Sequence, residues 1–314
     1  MYSLTDYGHM LADRVRMDPY AYALKKAVYP GSVVLDIGTS IGIHALLACK
    51  FGARQVYAVE PNEVIDLAQR LALQNGYADR ITFIHDLSTN VTLPEPADVI
   101  VSDLRGVLPL FEQHIPAIID ARQRHLAPQG VLIPQKDRLW VAVVENPAVY
   151  RSLLSPWDDP YGFDMAPARQ MVLHEWQHDD TDLIQLSDLL TVPANWAVLD
   201  YNKIDHPDIS SGEIVHKATR DGTAHGLLVW FDAELSERIG FSNAPQNKRV
   251  ADVYGRGFFP FLEPVPIVAG DTIQLQIQAN LTMEGYYRWR WQTTVYSQGN
   301  KDLIKAEFDQ ATEY

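Results

Sequence analysis

Two hydrophobic rhythms divide this chain. Up to residue 134, short apolar runs alternate with stretches of helical periodicity. The runs Ser32–Ile37, Gln55–Glu60, Ile81–Ile84, Ala97–Ser102 and Gly130–Ile133 predict strands. Ile43–Phe51, Glu63–Gln74 and His114–His125 predict helices between them, with Asn75-Gly76 as a stop signal. Alternation of this kind predicts an α/β domain built on a doubly wound parallel sheet. After Pro134 the rhythm changes. Thr272–Gln278 alternates strictly, and Tyr287–Thr293 does so with Tyr287, Trp289 and Trp291 on one face, the pattern of half-buried antiparallel strands. Gly212–Thr219 and Gly226–Phe231 are further strand candidates. The expected division is therefore residues 1–134 as the parallel-sheet domain and 135–314 as an antiparallel β-barrel or sandwich. Ser155–Asp182, rich in Trp, Pro, Asp and His, follows neither rhythm and is expected to form a lobe or arm.

Bulk properties narrow the functional classes. The 314 residues are 47% apolar and 21% charged, as in soluble globular proteins. A formal net charge of −14 disfavours non-specific nucleic-acid binding, which needs basic surface to displace counterions, and favours a cationic partner through steering. No apolar run approaches the roughly 18 residues that suggest a membrane span. The opening MYSLTDYGHM lacks the basic and apolar regions of a signal peptide. The lone Cys49 excludes an intramolecular disulfide and a multi-cysteine metal site. A cytoplasmic protein is expected.

The candidate chemistry begins where the first strand ends in Asp36 and enters the turn Gly38 to Gly42. A glycine turn between strand and helix lets a ligand approach the backbone, although it also serves an ordinary βαβ crossover. The second strand ends in Glu60, an acid placed to accept both ribose hydroxyls. Dinucleotide binders use G-x-G-x-x-G around a pyrophosphate. Here the middle glycine is replaced by Ser40, which disfavours a nicotinamide oxidoreductase. DxGxxxG instead fits a nucleoside cofactor without phosphate, such as S-adenosylmethionine. The fourth strand leads into Asp103, and a Gly-Pro loop runs on to Glu112. Two carboxylates converging on one point suit a planar guanidinium, whose donors form a fork; two solvated acids on a loop are the alternative. His174–His178 matches HExxH, but Asp179–Asp182 follow at once and a metal site is not expected. Arg288 and Arg290 between Trp289 and Trp291 read as the wet face of a barrel strand rather than a nucleic-acid stacking platform.

In order along the chain, these motifs resemble the protein arginine methyltransferase family within the class I S-adenosylmethionine-dependent methyltransferases. MLADRVRMDPY is similar to the family's helix preceding the sheet; the resemblance implies that Met10 packs near the reacting centre and Arg16 pairs the cofactor carboxylate. LDIGTSIG resembles the first motif, with Asp36, Gly38 and Gly42 at the cofactor, and AVEPN the second, with Glu60 on the ribose. In NGYADRITFIHDLS, Asp86, Leu87 and Ser88 would border the adenine. VSDLRGVLPLFE resembles the double-glutamate loop, with Asp103 and Glu112 in the acidic positions, and ARQRHLAPQGVLIP its following helix and strand. WDDPYGFDM resembles the dimerisation arm and GFSNAP a barrel motif.

The resemblance implies a homodimeric methyltransferase acting on a guanidino nitrogen of arginine in a protein, a peptide or the free amino acid. Asp103, Glu112 and Asp13 would be its catalytic acids. The chain departs from the family pattern at three places. Asp103 is one methylene shorter than glutamate, and Ser40-Ile41 stands where Gly-Thr is usual. The Thr-His-Trp loop lacks a counterpart: its position falls near Asp252–Arg256, with Tyr254 for tryptophan and Val253 without an imidazole, while Asp13, the histidine's expected partner, is retained. A different nucleophile, or a catalytically dead dimeric scaffold, are the readings these departures leave open.

Overall fold

The computed structural model describes residues 3–179, 183–299 and 303–312. It divides into two compact units: Met1–Asp137 with Leu199–Pro207 and Ala233–Ser242, and Arg138–Val198 with Asp208–Asp232 and Asn243–Tyr314. Two segments from the second half of the sequence thus belong with the first unit, a recruitment that no rhythm in the sequence marks.

The first unit opens with helices α1 (Leu4–Ala12) and α2 (Arg14–Ala27). Ser3 and Asp6 close a capping box on α1, and Asp13 both ends α1 and caps α2 by accepting the Arg16 N–H. The sheet follows as β1 (Val33–Ile37), β2 (Gln55–Val59), β3 (Ile81–Ile84), β4 (Ala97–Ser102) and β5 (Leu126–Ile133), interleaved with α3 (Ile43–Phe51), α4 (Ile65–Gln74) and α5 (His114–His125). All pairings are parallel, in the order β3-β2-β1-β4-β5. The expected doubly wound sheet is therefore borne out. β1 is buried at every position, the signature of a strand covered on both faces. The last strand begins at Leu126 rather than Gly130, with a register shift opposite Ala97/Val99: Pro128 cannot donate to a ladder, so the irregularity falls at the strand's entry.

The order 3-2-1-4-5 reverses direction at β1 and β4. The crevice beyond their carboxyl ends is where an open α/β sheet binds its ligand. Asp36, Gly38 and Asp103 all lie there.

The second unit is antiparallel and barrel-like. It is built on β6 (Lys136–Val144), α6 (Pro147–Leu154), α7 (Ala166–Val172), β7 (Gln177–Asp179), β8 (Ala194–Asp200), β9 (Ile209–Ser210), β10 (Ile214–Lys217), β11 (Gly222–Ser236), β12 (Ile239–Ser242), β13 (Arg256–Ile267), β14 (Thr272–Leu281), β15 (Tyr287–Tyr296) and β16 (Ile304–Ala311), although the ends of β6, β8 and β11 and all of β12 count with the first unit. One sheet runs β10-β14-β15-β16 and the other β7-β13-β11-β6-β8. β15 alternates as predicted: Tyr287, Trp289 and Trp291 are buried, while Arg288 and Arg290 face solvent, Arg290 paired to Asp309. Trp289 anchors an aromatic cluster with Trp176, Trp196 and Phe259, at centroid separations of 6.2, 6.0 and 5.3 Å. The arm candidate holds short turns at Ser155–Trp157 and Pro160–Gly162, then α7 and β7. Its last residues, 180–182, lie outside the described residues.

Truncating Trp289 removes the hub of that cluster. Trp289→Ala should lower the unfolding free energy by about 3–5 kcal/mol, read by urea denaturation with tryptophan fluorescence; a loss below about 1 kcal/mol would show that the cluster does not support the second unit.

Candidate active site

The first-unit site is assembled at four strand ends. At the tip of β1, Asp36 is fully buried. Its Oδ2 accepts from the Thr39 hydroxyl at 2.5 Å and from the Ala45 N–H at 3.1 Å, which ties the turn to the start of α3. Its Oδ1 has no hydrogen-bond partner among the described residues; the nearest cationic candidate, His44 Nδ1, stands 3.8 Å away. Gly38 and Gly42 are both left-handed, with φ of 68° and 85°, so the expected need for glycine is met by the geometry. A Cβ on Gly38 would fall 2.4 Å from Leu104 Cδ2. Only a residue without a side chain leaves that approach open.

Glu60, just past β2, is 5% exposed. Its Oε2 accepts from the Ser40 N–H at 3.0 Å, and Oε1 accepts from the Asn62 backbone and side-chain amides at 3.1 and 2.6 Å. The acid is thereby fixed between the glycine turn and the start of the next segment. Past β3, Asp86 and Leu87 are exposed and Ser88 is half-buried. Asp86 accepts from the Leu87 and Asn90 amides. These bonds, the Asn90 one first, hold its carboxyl below the usual range.

The fourth strand end carries the densest charge. Arg16 Nε donates to Asp103 Oδ2 at 2.6 Å, and its Nη1 donates to the Met10 carbonyl at 3.2 Å. Met10, Arg16 and Asp103 are thus brought together, with Asp13 capping the helix that presents Arg16. Asp103 Oδ1 accepts from Arg105 Nη1 at 3.1 Å. The Arg105 side chain is wholly buried. Its Nε and Nη2 grip Asp137 at 2.7 and 2.8 Å, and Nη1 also donates to the Tyr20 hydroxyl at 2.7 Å. Tyr20 in turn donates to the Ser102 carbonyl. Burial works most strongly against the Arg105 charge, but Asp137 together with the Tyr20 and Tyr201 hydroxyls outweighs it and holds the guanidinium above its usual range. Tyr201 donates to Asp137 at 2.6 Å and meets His114 Nε2 at 2.9 Å. Burial, then the Arg105 charge, push His114 down to about 3, so the ring is neutral and supplies an Nε2–H to Tyr201.

Glu112 is placed differently. It is exposed, and among the described residues it makes no hydrogen bond or ion pair. Its φ of 40° lies in the left-handed region, uncommon outside glycine. The loop does fold back: a Cβ on Gly106 would lie 2.5 Å from the Phe111 ring. No described group bridges Asp103 to Glu112.

Sequence reasoning missed Arg105, Asp137, Tyr20, Tyr201 and His114 as one network. The available signal was a lone arginine inside an otherwise apolar loop, Leu104 to Phe111. The HExxH match has no helical basis, since His174 lies in a turn and His178 in β7; no cluster of three metal-ligating residues occurs among the described residues. In the second unit, Tyr254 is buried edge-on against Phe231. Asn243 of GFSNAP holds the Ala251 and Gly255 carbonyls, shaping the segment where the Thr-His-Trp loop was expected.

The first-unit residues fit S-adenosylmethionine. Glu60 is a buried acid at the end of β2, Asp36 Oδ1 is a buried acceptor without a hydrogen-bond partner among the described residues, Gly38 and Gly42 hold the turn between them in left-handed backbone, and Arg16 supplies a cation beside Asp103. The fit makes Gly38→Ala informative. The substitution places a methyl against Leu104 at a strained φ, and should weaken S-adenosylhomocysteine binding at least about tenfold by calorimetry, or about 1.4 kcal/mol; unchanged affinity would remove the turn from the cofactor site.

Comparison with known proteins gives the same picture. Residues 135–288 match the model of the arginine methyltransferase oligomerization subdomain, and residues 21–143 that of ribosomal protein L11 methyltransferase. Protein arginine N-methyltransferase 1 of Schizosaccharomyces pombe is 32% identical over 260 residues, 78% of this chain and 75% of the relative. The Saccharomyces cerevisiae protein of the same name is 29% identical, over 87% of this chain and 80% of the relative. Among solved structures, the Trypanosoma brucei PRMT1 enzyme-prozyme heterotetrameric complex with AdoHcy shares the fold at TM-score 0.86 and 23% identity, covering 97% of this chain and 96% of that one. Arabidopsis thaliana protein arginine methyltransferase 10 does so at TM-score 0.83 and 24% identity, over 97% and 96%. With a relative at 32% identity across three quarters of both chains, and the strand-end motifs in their expected order, this chain belongs to the protein arginine methyltransferase family of S-adenosylmethionine-dependent enzymes.

Proposed function

We propose that this enzyme transfers a methyl group from S-adenosylmethionine to a guanidino nitrogen of arginine in a protein substrate. The observation that carries the reading is the loop after β4. It starts at Asp103, whose side chain is buried beside Arg16 at the sheet's switch point, and ends at Glu112, an unengaged carboxylate held in left-handed backbone. Strain of that kind gathers at functional sites.

The cofactor supplies an electrophilic methyl on a sulfonium. Glu60 would hold its ribose, Asp86, Leu87 and Ser88 would border its adenine, and Arg16 would meet its carboxylate while keeping Asp103 in place. A guanidinium has no lone pair to offer until its charge is drawn away from one nitrogen. Glu112 and Asp103 would accept its N–H groups and concentrate positive charge on the nitrogens they hold, leaving the third poised in line with the methyl. The proton released afterwards would pass to Glu112 or Asp13. The net charge of −14 favours approach of an arginine-rich partner.

We assign the working form as a cytoplasmic homodimer joined through the arm from Ser155 onward. Tyr161 and Phe163 are 97% and 70% exposed there, an apolar patch suited to a second copy. The lone thiol, Cys49, is buried and in keeping with a reducing compartment.

Transfer from labelled S-adenosylmethionine to an arginine-rich peptide and to free arginine tests the chemistry. Glu112→Gln should lower kcat at least about 100-fold while S-adenosylhomocysteine affinity stays within about threefold; a wild-type rate in that variant would remove Glu112 from the mechanism. Replacing both Tyr161 and Phe163 by Ser should shift the light-scattering mass from dimer to monomer, and an unchanged mass would move the interface elsewhere.

A further inference from the structure

We infer that Arg105 and Asp137 form a positioning pair that fixes the orientation of the Asp103 carboxylate toward the methyl acceptor. The inference rests on the reading that the loop acids hold a guanidinium.

Asp103 is short, so the direction of its carboxylate is set at a single side-chain bond beyond Cβ, and small rotations move its oxygens off target. Two arginines bracket it. Arg16 takes Oδ2 at 2.6 Å and Arg105 takes Oδ1 at 3.1 Å. Arg105 cannot follow a turning carboxylate, because its donors are directed elsewhere as well. The two-point grip on Asp137 at 2.7 and 2.8 Å sets the plane of the guanidinium. The bond from Nη1 to Tyr20 at 2.7 Å leaves the other Nη1 hydrogen aimed at Asp103. Asp137 is itself held by Tyr201 at 2.6 Å, and Tyr201 by neutral His114. The chain of bonds His114–Tyr201–Asp137–Arg105–Asp103 therefore transmits rigidity from the helix α5 to the loop acid. Side chains of Arg105 and Asp137 are both wholly buried, so the device excludes water and keeps a fixed geometry. It also balances charge locally: the cations Arg16 and Arg105 meet the anions Asp103 and Asp137, so the two buried arginines leave no net positive charge to repel an incoming cation.

A double substitution, Arg105→Met with Asp137→Leu, removes the pair and fills its space with apolar groups, an exchange that buried ion pairs often tolerate. Its crystal structure should show the Asp103 carboxylate turned away from its wild-type direction. On an arginine-rich peptide its kcat should fall about 10- to 100-fold, the scale of a misplacement near 1 Å, with S-adenosylhomocysteine affinity within about threefold of wild type. An Asp103 that keeps its direction, or a wild-type kcat despite a turned Asp103, would overturn the inference. If the wild-type enzyme methylates no arginine substrate, the proposed acceptor is wrong, and the direction of Asp103 in the double variant still decides the positioning role. Should the double variant not fold, Arg105→Lys carries the test: it keeps the charge but loses the planar fork, and is expected to bind cofactor normally with a reduced kcat; full activity there would overturn the inference.

Discussion

A guanidinium with none of its side chain exposed must find anions and acceptors inside the protein, and that requirement at Arg105 organises the first unit. A buried cation left alone is strongly destabilising, so the fold brings Asp137 from the end of the parallel-sheet segment, Tyr20 from α2, and Asp103 from the same loop to meet it. Tyr201 is drawn in as well, although it lies far along the sequence, because the second lone pairs of Asp137 also need donors. Arg122 reinforces the same recruitment by donating to the Tyr201 carbonyl. These bonds tie the stretch Leu199–Pro207 to the first unit, to which it belongs.

Around that fixed point the strand ends divide their tasks. Asp36 and Glu60 are locked by backbone amides of the glycine turn and its neighbours, which fixes their direction before any ligand arrives. Preorganisation of this kind lowers the reorganisation needed at reaction. Glu112 is the contrast: exposed, unengaged and in strained backbone. The loop thus carries one acid fixed by two arginines and one left exposed to solvent.

The second unit follows different physics. Its strands alternate, so one face packs aromatic rings around Trp289 while the other carries ion pairs such as Arg290–Asp309. Asn243 shows how a buried amide shapes a loop there, satisfying two carbonyls and the Ala251 N–H at once. Beside that segment, Tyr254 packs inward against Phe231.

Local pattern was enough for much of this. The apolar runs of the first 134 residues specify doubly covered strands, and DxGxxxG specifies the turn that must adopt positive φ. The alternation of Tyr287, Trp289 and Trp291 specifies which face of β15 is buried, because side-chain direction repeats every two residues along a strand. What the sequence could not determine is who meets whom across long separations. Arg105 and Asp137 lie 32 positions apart, and periodicity reports that a residue is buried without naming the group that compensates its charge. The same holds for Ala233–Ser242, whose strand rhythm resembles that of its neighbours although it packs with the first unit. Those assignments come from three-dimensional complementarity of charge and shape, and only the tertiary structure supplies it.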